Sequence, residues 1–285
     1  MPASFEGVVI LGMPRSGTTL LRRLINAHPA LVCPPETNLF SGASRFLQED
    51  VFAGGLSVGV VPGLGFAGFE RDIVKDRLRE FLFGFWREIR DTSGKAFWVE
   101  KTAVDIFHID AIEELCGDRC RYVCLVRHPL DVIVSLGDLG RKMQSHLSEV
   151  YQFIQRYQSS VEAYAHAWVA ANSRLNRFID EHPDWCIQLR YEDVVEDPNA
   201  NLDRLFSFLG QPTDSQALIE NAMSDHGASG LGDWKTYKKR EISISSVNRQ
   251  AELGQWTISH LAPMLNPLLS RFDYDPIKIR EQTAG

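Results

Sequence analysis

Hydrophobic and polar positions along the chain change period several times, and each change marks an element. Residues 7–12 form a short β-branched run without polar interruption, the pattern of a strand buried on both faces. Leu20, Leu21, Leu24 and Ile25 then recur at helical spacing over 17–27. Residues 31–33 offer a short second strand. A long amphipathic helix is predicted over 71–90, with Ile73, Val74, Leu78, Phe81, Leu82, Phe85 and Ile89 on roughly one face. Residues 97–100 read as a strand and 105–115 as a helix. The clearest strand is 121–127, and the helix after it carries Pro129 near its first turn. A helical stretch over 149–181 ends at His182-Pro183. Residues 185–189 make another strand, 199–209 and 214–223 two helices, and 255–272 the last helix. Residues 224–250 are polar and basic with little periodicity, and read as a long functional loop.

Strands separated by helices predict an α/β fold with a mainly parallel central β-sheet flanked by helices. No repeat, low-complexity tract or linker divides the chain, so 1–285 reads as a single domain. Residues 51–68 interrupt the pattern. They carry no charge, six glycines and Pro62, and read as a lid or loop over the acceptor site, not as a membrane span. The first apolar run, Val8 to Leu11, is too short for a signal peptide.

Composition changes the picture in two places. With 30 basic against 37 acidic residues the net charge is −7, which argues against nucleic acid or a heparin-like polymer as a partner. The 5 cysteines are too few, and odd in number, for a disulfide framework, which points to a reducing compartment. Cys116, Cys120 and Cys124 recur every fourth residue, but no CxxC pair is present and Cys124 lies in a predicted buried strand. They read as buried thiols, not as a zinc site.

The strongest chemical signal is Gly12-Met13-Pro14-Arg15-Ser16-Gly17-Thr18-Thr19, between a predicted strand and a predicted helix. Free N–H groups and the dipole at a helix start favour an anion there. Gly17 allows close backbone approach, Ser16, Thr18 and Thr19 add hydroxyls, and Arg15 adds a fixed positive charge. The spacing from Gly12 to Gly17 matches a Walker A loop, but Thr18 stands where that loop has its lysine. A nucleoside-triphosphate enzyme is therefore disfavoured. A second anion site is suggested by Arg127 at a strand end and Ser135 on the following helix, at the sheet edge where such folds bind ligands.

With His28-Pro29 further on, the loop from Gly12 to Leu21 resembles the 5′-phosphosulfate loop of sulfotransferases, and it is especially similar to tyrosylprotein sulfotransferases and their bacterial relatives. The resemblance extends to about Arg249. It implies a P-loop-type fold and 3′-phosphoadenosine 5′-phosphosulfate as co-substrate, held by Pro14, Arg15, Ser16, Gly17, Thr18 and Thr19. Arg127 and Ser135 match the pair that grips the 3′-phosphate, and Tyr191 matches a tyrosine against the adenine. Gly232-Asp233-Trp234-Lys235 resembles a nucleotide-closing loop, which would make Lys235 and Arg249 phosphate contacts.

The resemblance also assigns the chemistry. Glu36, in Cys33-Pro34-Pro35-Glu36-Thr37, is similar to the general base of tyrosylprotein sulfotransferases, although Pro35 and Asn38 depart from that pattern. Lys101, in Glu100-Lys101-Thr102, would stabilise the transferring group and, with Arg15, the leaving oxygen. Glu100 and His108 are rival bases. Cytosolic sulfotransferases place their histidine two residues after such a lysine, where this chain has Ala103, so His108 reads as structural. No metal is required if cationic side chains stabilise the leaving group. The expectation is a sulfotransferase, cytoplasmic and bacterial, acting on a hydroxyl or amine of a small-molecule or peptide acceptor, small and fairly apolar by the neutrality of 51–68. A P-loop kinase-like phosphotransferase and a non-catalytic 3′-phosphoadenosine nucleotide-binding protein are the alternatives.

Overall fold

The structure, a computed structural model, describes residues 5–224 and 241–279. Five parallel strands form the central sheet: β1 (Gly7–Leu11), β2 (Leu31–Val32), β5 (Phe97–Glu100), β6 (Cys120–Val126) and β7 (Cys186–Arg190), in the order β2-β5-β1-β6-β7. Every residue of β1 is buried, as its uninterrupted apolar run requires of a strand covered on both faces. Helices supply those covers. On one face α1 (Thr18–Asn26), α10 (Pro198–Phe208) and α11 (Ser215–Ser224) enclose Leu20, Leu24, Val99, Val123 and Phe206. The other face holds α4 (Arg71–Ser93), α5 (Ile109–Cys116), α6 (Pro129–Met143), α8 (Ser160–Glu181) and α12 (Gln255–Arg271). Their core is built on Trp86, Trp98, Trp168 and Phe178. The expected α/β architecture is what forms.

Two expectations need correction. Residues 51–68 are not one loop: β3 (Glu49–Val51) and β4 (Ser57–Gly59) pair as an antiparallel hairpin, and α3 (Val60–Phe66) follows. Pro62 is tolerated because it falls in the first turn, where a backbone N–H has no intrahelical acceptor. The helix expected over 149–181 is two helices, α7 (Ser148–Ile154) and α8, broken over 155–159. Tyr191 follows directly on β7, as expected, and opens the short helix α9 (Tyr191–Glu196). The remaining helix, α2 (Leu39–Leu47), packs on α3 and α5. All five cysteines are buried free thiols, and burial pushes Cys33 up to about 12. Among the described residues no helix is long and apolar enough to cross a membrane.

Because β1 lies between β5 and β6, their carboxyl ends bring three sequence-distant segments side by side. These are the loop before α1, Glu100-Lys101-Thr102, and Arg127.

Candidate active site

The loop leaving β1 turns back through two left-handed residues, Arg15 at φ 74° and Gly17 at φ 95°. Arg15 pays for a conformation that a side chain rarely adopts, a mark of a site built for function. Gly17 is required twice over: by its φ, and because a Cβ there would lie 2.2 Å from the Tyr191 ring. The turn is closed by the Ser16 N–H donating to Met13 O at 2.9 Å. α1 then begins at Thr18, so its first-turn N–H groups face the loop.

Arg15 and Arg127 are interlocked. Arg15 Nε donates to Ser135 Oγ at 2.9 Å, and Arg127 Nη1 donates to the Arg15 carbonyl at 2.8 Å. The Arg127 guanidinium lies 4.5 Å from the centroid of the Tyr191 ring and donates to Ser246 O. Its Nε is buried without a hydrogen-bond partner among the described residues. A buried N–H of a charged group left unmatched is costly, and the Arg127 side chain lines the cavity, where its positive charge favours an anion. Sequence reasoning placed Arg127 and Ser135 on one anion; the structure brings Arg15 to the same point. Tyr191, only 6% exposed, is wedged between Gly17 and Arg127, while still lining the cavity.

Residues 241–250 close over this end. Asp131, at the start of α6, accepts from the backbone N–H groups of Asn248 (3.0 Å) and Arg249 (2.7 Å). Arg249 reaches the cavity wall, with its guanidinium paired to Asp138 at 2.8 Å and to Glu252. Hydrogen bonding to Glu252 raises the guanidinium above its ordinary value. Lys235 lies outside the described residues.

Lys101 is 1% exposed and sits beneath the cavity, not on its surface. Its Nζ donates to Glu36 Oε1 at 2.6 Å, and Glu36 does line the cavity. Glu100 takes no part in that wall. It is fully buried and accepts from Thr37 Oγ1 (2.8 Å), Trp86 Nε1 (2.9 Å) and Thr102 Oγ1 (2.8 Å). Burial raises its carboxyl above the ordinary range against those bonds. Asp105 is also fully buried, and burial together with Glu100 and Glu36 raises it well above the ordinary value, against a hydrogen bond from the Thr102 backbone. His28 is structural: it stacks on Phe206 at 4.5 Å, with Nδ1 accepting from Ala30 N.

The cavity has a volume of about 460 Å³ and two unlike ends. One is the phosphate loop with Arg127, Ser135 and Tyr191. The other is formed by Glu36, Asn38, Ser41, Arg45, Leu147 and Glu149, from α2, α7 and the turns before them. No residue of 51–68 lines it, which corrects the expected lid: that segment packs on α2 and α4 instead.

Glu149 escaped sequence reasoning, as the first residue of a supposed long helix. Burial opposes its ionisation, but hydrogen bonds from His108 (3.3 Å) and Ser148 (2.6 Å) prevail and lower its carboxyl to about 2. His108 therefore serves Glu149 and does not itself line the cavity.

Comparison with known proteins agrees with this geometry. A profile of the sulfotransferase family matches residues 7–215. Protein-tyrosine sulfotransferase 1 of Danio rerio is 23% identical, over 97% of this chain and 73% of its own length. The sulfotransferase domain from the curacin biosynthetic pathway superposes with a TM-score of 0.66 at 21% identity, covering 96% of this chain and 100% of that domain. The sulfotransferase domain of the Synechococcus PCC 7002 olefin synthase gives 0.62 at 21% identity, covering 96% and 98%. A phosphate loop without the Walker lysine, a buried arginine facing it, and a family match over most of the chain converge: this chain belongs to the sulfotransferase family and is an enzyme of that class.

Proposed function

We propose that the enzyme transfers a sulfuryl group from 3′-phosphoadenosine 5′-phosphosulfate to a hydroxyl or amine of an acceptor held at the Glu36–Glu149 end of the cavity. The observation that carries the choice of donor is the buried guanidinium of Arg127 in the cavity wall, interlocked with Arg15 and Ser135. A 3′-phosphate is an anion suited to that group, and AMP and ATP lack it. The cavity's other features fit the same nucleotide: the loop 14–19 for the 5′-phosphosulfate, Arg127 and Ser135 for the 3′-phosphate, and Tyr191 beside the adenine.

Glu36 takes the proton from the acceptor hydroxyl as the acceptor oxygen bonds to sulfur. The bond from sulfur to the 5′-phosphate oxygen breaks, leaving a sulfate ester and adenosine 3′,5′-bisphosphate. Arg15 and the N–H groups at the start of α1 neutralise charge on the departing phosphate. Lys101 orients Glu36 through their 2.6 Å contact and adds positive charge beneath the transferring group. Arg249 adds a phosphate contact from the segment 241–250.

The acceptor is small and partly apolar, as supported by Val104, Leu139, Met143 and Leu147 around the acceptor end.

Calorimetric titration with adenosine 3′,5′-bisphosphate, AMP and ATP tests the donor site. The bisphosphate is expected to bind most tightly, and Arg127→Ala to weaken it by about 30-fold or more while leaving AMP little changed. ATP binding as tightly as the bisphosphate would sink the assignment in favour of a phosphotransferase.

A further inference from the structure

The face of α4 turned away from the sheet is apolar and open. Ile73, Phe81 and Phe85 are 43%, 60% and 45% exposed, and helical spacing sets them in one stripe with Arg77, Gly84 and Glu88. The adjoining β4 and α3 add exposed Val58, Val60 and Phe66. Single exposed apolar residues are ordinary, but a contiguous run of aromatic and aliphatic side chains marks a contact surface.

Ion pairing along α4 singles out two residues. Arg71 pairs with Glu49 and Glu114, Lys75 with Asp72, Arg79 with Asp76, Arg87 with Glu6 and Glu80, and Arg90 with Asp91. Arg77 and Glu88 are the charged residues of this helix left without a salt bridge among the described residues, Arg77 lying instead over the Phe69 ring at 5.0 Å, and both are exposed on the apolar stripe. They stand about three turns, roughly 16 Å, apart on the same side of the helix, too far to pair with each other.

Two copies of α4 laid antiparallel solve this. The offset that sets each Arg77 opposite the other copy's Glu88 puts the two-fold axis midway between residues 82 and 83. That offset, without further adjustment, sets each Phe81 over the other copy's Gly84. A Cβ at Gly84 would meet nothing within 4 Å, so the helix surface there is open to a ring. One register satisfies both charges and seats both rings, the self-complementarity that a two-fold contact demands. A lipid surface would instead bury Arg77 and Glu88 unpaired, at a cost.

We propose that the exposed face of α4 is the interface of a two-fold dimer of this chain, with Arg77 paired to the partner's Glu88 and Phe81 seated on the partner's Gly84. Sedimentation velocity on the full chain over a wide concentration range tests it. Wild type self-associates. Arg77→Glu or Glu88→Arg alone weakens the dimer by roughly tenfold or more, and the double reversal R77E/E88R restores it. Phe81→Glu leaves a monomer, and its unaltered melting temperature shows that the fold survives this surface change. A wild type that stays monomeric throughout, or a dimer indifferent to Arg77→Glu, overturns the proposal. So does a monomer that floats with phosphatidylcholine vesicles in a Phe81-dependent way, which would give the face to lipid.

Discussion

The two ends of the cavity are built by different means. The end proposed for the nucleotide is made largely of one short segment: residues 12–19 fold on themselves around a forced glycine and a left-handed Arg15. The acceptor end is made of single side chains lent by separate elements, among them Glu36 before α2, Arg45 on α2 and Glu149 on α7. A phosphate has one shape and one charge, so a backbone cradle serves it and leaves a contiguous signature. An acceptor is recognised by scattered polar and apolar contacts, which can change one at a time without disturbing the cradle.

That contrast can be broken by substitutions that strike one end only. The largest effect is expected from Glu36→Gln, which removes the proposed base but keeps a side chain of the same shape. Turnover should fall by about 10²- to 10⁴-fold with bisphosphate affinity intact. Equal activity of the variant would hand the proton to another group. Gly17→Ala strikes the other end. The left-handed φ of 95° and the 2.2 Å approach to the Tyr191 ring should cost about 2–4 kcal/mol of stability, read in denaturant unfolding, and abolish tight bisphosphate binding. An unaffected melt would mean that the ring swings away freely.

Glu149→Gln sharpens the comparison with the smallest effect. The folded-state carboxyl, lowered to about 2, contributes stability that is present above its unfolded value near 4.5 and is lost as pH falls toward 2. Wild type should therefore lose stability more steeply than the variant across that window, while their nucleotide affinities stay alike. At neutral pH the variant should be less stable by about 1–2 kcal/mol, the scale of charge-assisted hydrogen bonds. Parallel melting curves from pH 5 to about 2 would show that Glu149 has no such role.

The buried group around Lys101 separates residues that look alike in sequence. Glu36 and Glu100 are both carboxylates near that lysine, and either could serve as base on paper. In the fold, Glu100 is saturated by Thr37, Trp86 and Thr102 and has no surface, whereas Glu36 shares Lys101 and faces the cavity. His108 is set aside for the same kind of reason, since its ring nitrogen is spent on Glu149.

Local physics wrote the central strands, the phosphate loop and the start of α6 into the sequence. A strand covered on both faces must be apolar throughout, a cradle needs its glycine, and a helix that opens with Pro129 has a proline where no backbone N–H is needed. Those features could be placed from neighbours along the chain alone. The tertiary structure decided what depends on distant partners. It folded 51–68 into a hairpin and helix away from the cavity, joined Arg15 to Ser135, buried Lys101 under Glu36, and brought Glu149 to the acceptor wall. Each of these rests on which surfaces meet once the sheet is covered, and no period or motif along the chain encodes that meeting.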